Sequence, residues 1–294
     1  MKEQSANNRD KQTTEPYWVC LKLSVVFIWI PVMLIMISQS VACPYPVGIC
    51  KLISFSPLYS AVGKIFLYAA LLVSCIFYLL EKRMVLATLS LFVLSCIIIS
   101  YHESNGFFFR AASLSAVLGA QFFAYAIHYF KPQFDVNKFR IHFGVQIIAA
   151  SYTLAAIAKL KATGMGWADE GGLFSIQVMK NYSYLYYDTG SSSFLEHGTE
   201  IARSFIEHKE LVKILLTGAL LLELFCFAAV INNKLRVVYG FALLAMHIGI
   251  DMAMGIGVGI ISKPMVVFFI NPVYYICLLG RKIYSKFLAA RVTP

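Results

Sequence analysis

The stretch that decides the fold is MHIGIDMAMGIGVG, at residues 246–259, and it has the apolar, glycine-rich character of a membrane-spanning helix. It nevertheless carries two ionisable residues, His247 and Asp251, four positions apart. At that spacing both side chains lie on one face of a helix. Ionisable side chains inside a membrane span are costly and typically mark a functional site.

The composition of the whole chain points to the same environment. Hydrophobic residues make up 59% of the 294 residues and charged residues only 14%, and the mean hydropathy is +0.71. A soluble domain of this length carries far more charge, so the sequence indicates an integral membrane protein. The first apolar run has no cleavable signal pattern and is expected to remain as an anchor. We predict an all-α, polytopic transmembrane helix bundle.

Eight segments approach the roughly 20 apolar residues that a membrane-spanning helix needs. They lie at about 18–40, 61–80, 84–100, 111–130, 142–160, 211–231, 237–261 and 265–280. The third and the eighth are short, so seven spans remain an alternative to eight. Pro31 and the Asn271-Pro272 step fall inside predicted spans and are expected to kink them.

The lysine and arginine residues predict which side each loop faces. With eight spans and the N-terminus inside, most basic residues fall on the inner side, and the short outer loops and their flanks hold only Lys51, Lys64, Arg110 and Lys263. Basic residues are enriched in cytoplasmic loops, so both termini are predicted to be cytoplasmic, in the cell membrane. The same distribution explains the net charge of +10 by contact with the lipid bilayer, and no nucleic-acid partner is predicted.

The chain is predicted to have three parts. Residues 1–17 form a disordered cytoplasmic tail, residues 18–280 form the transmembrane domain, and residues 281–294 form a basic cytoplasmic tail. Most of the mass outside the membrane is one larger outer segment at 161–210, with a turn-rich run, a tyrosine-rich stretch and a charged helix at about 194–209. Two interpretations of this segment stay open, a lid on the bundle and a solvated connector.

Two cysteines, Cys43 and Cys50, lie together in the first predicted outer loop, within the sequence CPYPVGIC. An oxidising compartment would permit a short disulfide-closed loop there, and a pair of free thiols is the alternative. The histidines of the outer segment, His197 and His208, lack any recognised metal-binding spacing. We therefore predict a disulfide and no metal site.

Four ionisable residues are predicted inside or at the edge of the lipid zone: Lys159, Glu223, His247 and Asp251. A lysine or aspartate at a helix centre costs about 2.5–3.5 kcal/mol on insertion scales. Because several such residues occur at overlapping depths, we expect them to face the bundle interior and line one cavity that opens toward the outer segment. The alternative is a hydrogen-bond network that only holds the helices together.

Several stretches resemble a known membrane domain. They are YTLAAIAKLKATGMGW at residues 152–167, the acid-glycine step that follows it, LLLELF at residues 220–225, and the MHIGIDMAMGI stretch. Together they resemble the horizontally transferred transmembrane (HTTM) domain, which is shared with vitamin K-dependent γ-carboxylase. The cysteine pair of the first outer loop and the late Asn271-Pro272-Val273 step are most similar to the SdpB-like family, the multispanning B component of the sporulation-delaying toxin system.

The resemblance carries two expectations about function, and the ionisable residues themselves suggest a third. The SdpB-like pattern implies a bacterial protein that acts with a small partner protein on a peptide substrate, in maturation or export of a secreted toxin. The γ-carboxylase resemblance implies instead a quinone-dependent membrane enzyme, with a quinone as cofactor and Lys159 as the base. A proton-coupled transporter is a third alternative, because membrane-embedded histidine and aspartate also mark proton relays. The implied site has Lys159, Glu223, His247 and Asp251 as catalytic residues and Tyr152, Trp167, Asp169 and Glu170 as binding residues.

Overall fold

The computed structural model describes residues 16–40, 45–105, 112–169, 171–255 and 259–292, and it places no β-strand in these ranges. This confirms the predicted all-α fold. The helices are α1 (Pro16–Gln39), α2 (Ala61–Leu79), α3 (Met84–Ser104), α4 (Ala112–Phe130), α5 (Val136–Thr163), α6 (Gly171–Thr189), α7 (Ser193–Glu207), α8 (Lys209–Leu224), α9 (Asn233–Met254), α10 (Gly259–Met265) and α11 (Pro272–Val292).

Seven helical segments in the described part of the chain are long and apolar enough to cross a membrane. They are Pro16–Gln39, Ala61–Leu79, Met84–Ser104, Val136–Thr163, Lys209–Val230, Asn233–Met254 and Ser262–Tyr284. This confirms a polytopic membrane protein, with one apolar span fewer than the eight expected. The missing one is the segment predicted at 111–130, which forms α4 as a 19-residue helix. This helix contains polar residues, among them Gln121 and His128.

The chain divides into two compact units. The first unit contains residues 1–147 and 263–294, and therefore α1 to α4, the start of α5 and α11. The second unit contains residues 148–262, and therefore the rest of α5 and all of α6 to α9. Every predicted catalytic or binding residue that the structure describes belongs to the second unit.

In the first unit, hydrogen bonds join the first helix to the last. The Tyr17 hydroxyl donates to the carbonyl oxygen of Phe268 at 3.0 Å, and the Asn271 side-chain amide donates to the carbonyl oxygen of Tyr17 at 3.1 Å. Asn271 is fully buried and has a left-handed backbone with φ of 47°. It stands between the π-helical turn Val266–Ile270 and α11, where Pro272 occupies the first helical position. The Asn271-Pro272 step thus breaks the last span into two helical pieces.

The first unit also contains a buried cluster of charged side chains, at the ends of three helices. Lys22 on α1 and Arg140 on α5 both contact the carboxylate of Glu81, in the turn that follows α2. Lys22 and Arg140 are buried, whereas Glu81 is partly exposed. Glu81 has a left-handed backbone with φ of 53°, an uncommon conformation for a side-chain-bearing residue. We call these three side chains with Trp18, Tyr78, Gln121 and Tyr125 the ionic cluster.

In the second unit, the segment predicted at 161–210 is a helical hairpin formed by α6 and α7. Its apolar core contains Val178 and Tyr182 of α6 and Ala202 of α7, packed against Met254 at the end of α9. The side-chain amide of Asn181 donates to the Met254 carbonyl oxygen at 3.0 Å. The hairpin therefore packs against the end of α9. Its place outside the membrane stays a prediction.

One glycine allows the two hairpin helices to approach closely. A Cβ atom at Gly198 of α7 would lie 2.5 Å from the Cβ atom of Tyr182 on α6. Such a distance is far inside van der Waals contact, so no larger residue fits here without moving one helix. Gly198 thus fixes how tightly α7 packs on α6.

Some sequence predictions fall at or beyond the limits of the described ranges. Residues 1–15, most of the predicted N-terminal tail, lie outside the described residues, and α1 begins at Pro16. Cys43 and Glu170 also lie outside them, so the Cys43–Cys50 disulfide stays a prediction. At the other end, α11 continues to Val292. The boundary predicted at 281 is therefore not a helix end, and most of the predicted basic tail is helical.

Candidate functional site

The centre of the candidate site is an ion pair between α5 and α8. The Lys159 ammonium nitrogen lies 2.5 Å from the Glu223 carboxylate oxygen. The Glu223 side chain is 9% exposed and that of Lys159 is 30% exposed. Both residues belong to helices that are apolar enough to cross a membrane. The structure therefore brings together two of the four predicted ionisable residues as a charge-paired acid and base.

A second acid–base pair lies between α5 and α9. The Tyr152 hydroxyl lies 2.6 Å from Nε2 of His247, and the two rings are 5.7 Å apart at their centroids. His247 is buried and Tyr152 is half-buried. Tyr152 and Lys159 are seven residues apart on α5, so both pairs use the same face of this helix.

The two pairs are neighbours. Thr153, next to Tyr152 on α5, has its hydroxyl 3.5 Å from the backbone carbonyl oxygen of Glu223. The Glu223 carboxylate also acts electrostatically on the Tyr152 hydroxyl. The site is thus one cluster with two hydrogen-bonded pairs, built from facing positions of α5, α8 and α9.

Trp167 covers the lysine side of this cluster. The Lys159 ammonium nitrogen lies 4.8 Å from the centre of the Trp167 ring, which is cation–π distance. The Trp167 ring meets Phe174 of α6 edge to face, with centroids 5.7 Å apart. The 3₁₀-helical turn Gly164–Asp169 carries Trp167, and this turn follows directly on α5. The predicted binding residue Trp167 therefore lies beside the predicted base.

Asp251 lies one turn after His247 on α9. We expected its carboxylate to orient the His247 ring, and this stays a prediction. The contact at His247 Nε2 comes from Tyr152. On the hairpin, burial and then the charge of Asp251 raise the pKa of the Tyr182 hydroxyl.

The predicted binding residue Asp169 lies at the surface, away from the buried pairs. Its carboxylate lies 2.5 Å from the ammonium group of Lys213, and the two side chains are 58% and 51% exposed. Exposed ion pairs contribute at most about 1 kcal/mol. Asp169 therefore belongs to the rim of the site, whereas Glu170 lies outside the described residues.

A cleft lies in the hairpin, beside the site. It has a volume of about 630 Å³, and its lining is mainly apolar, from Asp169, Leu173, Ile176, Met179, Ala202 and Ile206. The single cavity expected to be lined by Lys159, Glu223, His247 and Asp251 stays a prediction. Lys159 and Glu223, two of these four residues, are in direct contact.

Sequence reasoning missed the ionic cluster of the first unit. It treated Lys22 and Arg140 only as basic residues that orient the bundle, although both are buried. A usable signal was present: Glu81 is an acidic residue at the end of a predicted span, directly before Lys82 and Arg83. An acid in that position suggests an internal partner for one of the basic residues on the same side.

Comparisons of the chain with protein-family models, with curated proteins and with solved structures find no match. Among the described residues, no group of three or more histidine, cysteine, aspartate or glutamate side chains is arranged to hold a metal ion. The two acid–base pairs, on helices apolar enough to cross a membrane, are therefore the features that point to a function.

Proposed function

We propose that this protein is an integral membrane protein that acts in the maturation or export of a secreted peptide toxin, with the Lys159–Glu223 pair at its working centre. The observation that carries the proposal is the 2.5 Å contact itself. It joins the stretch YTLAAIAKLKATGMGW to the stretch LLLELF. These two stretches, with the MHIGIDMAMGI stretch that holds His247, are the ones that resemble the HTTM domain.

The geometry of the pair supports proton transfer. A proton can pass directly between an acid and a base at hydrogen-bond distance. Lys159 is the more exposed partner and Glu223 is buried, so a substrate would reach the ammonium group first. The Tyr152–His247 pair offers a second proton donor and acceptor on the same face of α5.

The hairpin offers a place for an apolar peptide segment. Its cleft has mostly apolar walls, and the Trp167–Phe174 contact lies between the ion pair and α6. A small partner protein would present the peptide from the side of the hairpin. Both termini would lie in the cytoplasm, as the positions of the basic residues predict.

The proposal is tested by deleting the gene in the source bacterium and profiling secreted peptides by mass spectrometry. The deletion strain is complemented with the wild-type gene, with Lys159→Ala and with Lys161→Ala, an exposed lysine two positions away. We expect one mature peptide to disappear on deletion and to return with wild type and Lys161→Ala but not with Lys159→Ala. Immunoblots of the membrane fraction measure how much of each variant accumulates, so that the amount of secreted peptide is compared per amount of membrane protein. An unchanged set of secreted peptides in the deletion strain would contradict the proposal.

A quinone-dependent membrane enzyme is the second candidate, and the position of Trp167 favours it. The flat indole ring beside the Lys159 ammonium group fits a planar aromatic ligand stacked against the amine. A bound quinol would supply the hydrogen and electrons for the reaction, and Lys159 would hold or move a proton at its Nζ atom. Extraction of a quinone with the purified wild-type protein, and its loss in Trp167→Ala, would favour this candidate over the first.

A further inference from the structure

The ionic cluster of the first unit has more positive than negative charge. Arg140 Nη1 donates to one Glu81 carboxylate oxygen at 3.3 Å, and the Lys22 ammonium group contacts the other. The side chains of Lys22 and Arg140 are only 7% and 5% exposed. Among the described residues, two buried cations face one carboxylate, so one positive charge of the cluster has no counter-charge there. A buried charge without a counter-charge is expensive, and this excess calls for an anion.

The other side chains of the cluster are uncharged. The Trp18 indole nitrogen donates to Glu81 at 3.2 Å, and Arg140 lies over the Trp18 ring at 4.3 Å. Arg140 Nη1 also contacts the Tyr125 hydroxyl at 3.3 Å, and the Tyr78 hydroxyl donates to the side-chain oxygen of Gln121 at 2.9 Å. None of these neighbours brings a second negative charge.

Two buried donors of the cluster have no acceptor among the described residues. They are Nε of Arg140 and the side-chain Nε2 of Gln121, and Gln121 is fully buried. A buried donor left without an acceptor costs about 1–3 kcal/mol, and such groups are rare in native proteins. Gln121 and Tyr125 are one turn apart on α4, so the two donors belong to the same neighbourhood. Among the described residues, the cluster therefore lacks one negative charge and the acceptors for two hydrogen-bond donors.

The shape of the guanidinium group indicates which anion fits. Glu81 and Tyr125 engage Nη1 of Arg140, which leaves the Nε edge of the group for another ligand. The planar edge of an arginine matches the paired oxygens of a phosphate group. The uncharged amide of Gln121 adds a donor without adding a competing charge.

The position of the cluster suits the headgroup layer of a membrane. Lys22 is in the second turn of α1, Glu81 follows the end of α2, and Arg140 is in the second turn of α5. Lys22 is six residues from Pro16, or about 9 Å along the helix axis. Lys82 and Arg83, beside Glu81, are exposed and basic and would attract anionic lipids to this edge.

We propose that the ionic cluster binds one phosphate group, with Arg140 Nε and Gln121 Nε2 as donors and Lys22 as the balancing cation. Within a membrane this phosphate belongs to the headgroup of an anionic phospholipid. A free phosphate ion would bind the same donors, and the experiment below distinguishes it from a lipid headgroup. The site lies in the first unit and is independent of the Lys159–Glu223 pair.

The test measures thermal unfolding of the purified full chain in detergent. Phosphatidylglycerol, phosphatidylcholine and inorganic phosphate are each titrated at matched ionic strength, with wild type, Arg140→Gln and Lys138→Gln. Lys138 is an exposed lysine on the first turn of α5, so its variant removes the same charge outside the cluster. We expect phosphatidylglycerol to stabilise wild type and Lys138→Gln, and Arg140→Gln to bind it about ten-fold or more weakly, as the loss of one charge-assisted hydrogen bond predicts. Stabilisation by inorganic phosphate at comparable concentrations would assign the site to a free anion.

A second pair of variants keeps all three charges in place. Gln121→Met removes the amide donor and Tyr78→Phe does not, although each breaks the Tyr78–Gln121 hydrogen bond. We expect Gln121→Met to bind phosphatidylglycerol or phosphate less tightly than Tyr78→Phe at similar stability. Equal affinity in these two variants, equal affinity in Arg140→Gln and wild type, or no stabilisation by any phosphate compound would overturn the proposal.

Discussion

The ammonium group of Lys159 and the carboxylate of Glu223 lie 2.5 Å apart, yet water reaches them unequally. The lysine side chain is 30% exposed and the glutamate side chain is 9% exposed. A lysine stem can bend its charge toward water, whereas a buried carboxylate at this position has no such path. The two partners are therefore not equivalent, and removing one should differ from removing the other.

We expect Lys159→Ala to destabilise the protein more than Glu223→Gln. The first change leaves a carboxylate buried without its partner. We expect this to lower the free energy of unfolding by about 3 kcal/mol, the lower end of the range for broken buried ion pairs. The second leaves a lysine that can turn toward solvent. Chemical unfolding in detergent measures both, and the double variant should recover part of the loss. Greater destabilisation by Glu223→Gln would contradict the unequal burial.

Tyr152→Phe tests the second pair. Loss of the hydroxyl removes the 2.6 Å contact with His247 Nε2 and should lower the free energy of unfolding by about 1 kcal/mol. Tyr184→Phe is the matched control, because the Tyr184 side chain is exposed and such changes stay within about 0.5 kcal/mol. If Tyr152 only packs against the ring, the two variants will unfold alike. In the secreted-peptide assay, a working pair predicts loss of the peptide with Tyr152→Phe alone.

Two glycine substitutions should have opposite effects. Gly198→Ala would place a Cβ atom 2.5 Å from the Cβ of Tyr182, and such overpacking costs about 1–3 kcal/mol. Gly218→Ala on α8 meets no atom within 4 Å and should stabilise the helix by up to about 1 kcal/mol. Thermal unfolding of both variants is the measurement. A stabilised Gly198→Ala protein would show that α7 does not pack closely on α6.

Glu81 should make stability fall in acid. Burial alone raises its pKa, but the hydrogen bond from Lys22 and the charges of Lys22 and Arg140 outweigh burial and hold the pKa below its ordinary value of 4.5. A carboxyl with a lowered folded-state pKa contributes stability that is complete above the unfolded-state pKa. That contribution is lost as the pH falls below about 4.5 and then through the lowered pKa that Glu81 has in the folded protein.

Glu81→Gln isolates this effect from the other carboxyl groups. Melting temperatures of wild type and Glu81→Gln are compared from about pH 6 down to about pH 3. We expect wild type to be more stable at the upper end and the difference between the two proteins to shrink as the pH falls. A difference that stays constant over this range would show that Glu81 has an ordinary pKa.

The Glu81–Arg140 contact also predicts the number of membrane crossings. Residues in contact lie on one side of the membrane, so an even number of crossings must separate Glu81 from Arg140. Helix α3 lies between them and is apolar enough to cross, which requires α4 to cross back in spite of its polar residues. Reporter fusions at Arg83, Lys138 and Lys234 should therefore all report the cytoplasm, and opposite sides for Arg83 and Lys138 would refute eight crossings.

The fold was predictable because its signals are local. Runs of about 20 apolar residues identify membrane helices directly, and all seven apolar spans lie where the sequence predicted them. The sequence singled out the short segments 84–100 and 265–280 as the doubtful ones, whereas the segment absent from the seven is 111–130, which contains Gln121 and His128. The hydrogen-bond partner of Gln121 cannot be predicted from its own segment, because Tyr78 lies 43 residues away on another helix.

The site was predictable as a set of residues but not as a set of pairs. The cost of ionisable groups in lipid singled out Lys159, Glu223 and His247. Which groups meet depends on how α5, α8 and α9 pack against one another. Spacing along α9 could suggest only Asp251 as a partner of His247, and it could not show that helix packing places Tyr152 of α5 at the Nε2 atom.

The hydrogen bonds between Tyr17, Phe268 and Asn271 have a consequence for biosynthesis. Asn271 is 254 positions after Tyr17, and ribosomes add about 5–20 residues per second. The first helix must therefore remain in the membrane for roughly 13–50 seconds of synthesis, at that rate, before its last partner exists. During this time the buried face of α1, including Trp18 and Trp29, is available to other proteins, so an insertion chaperone would find its target on the first helix to be made.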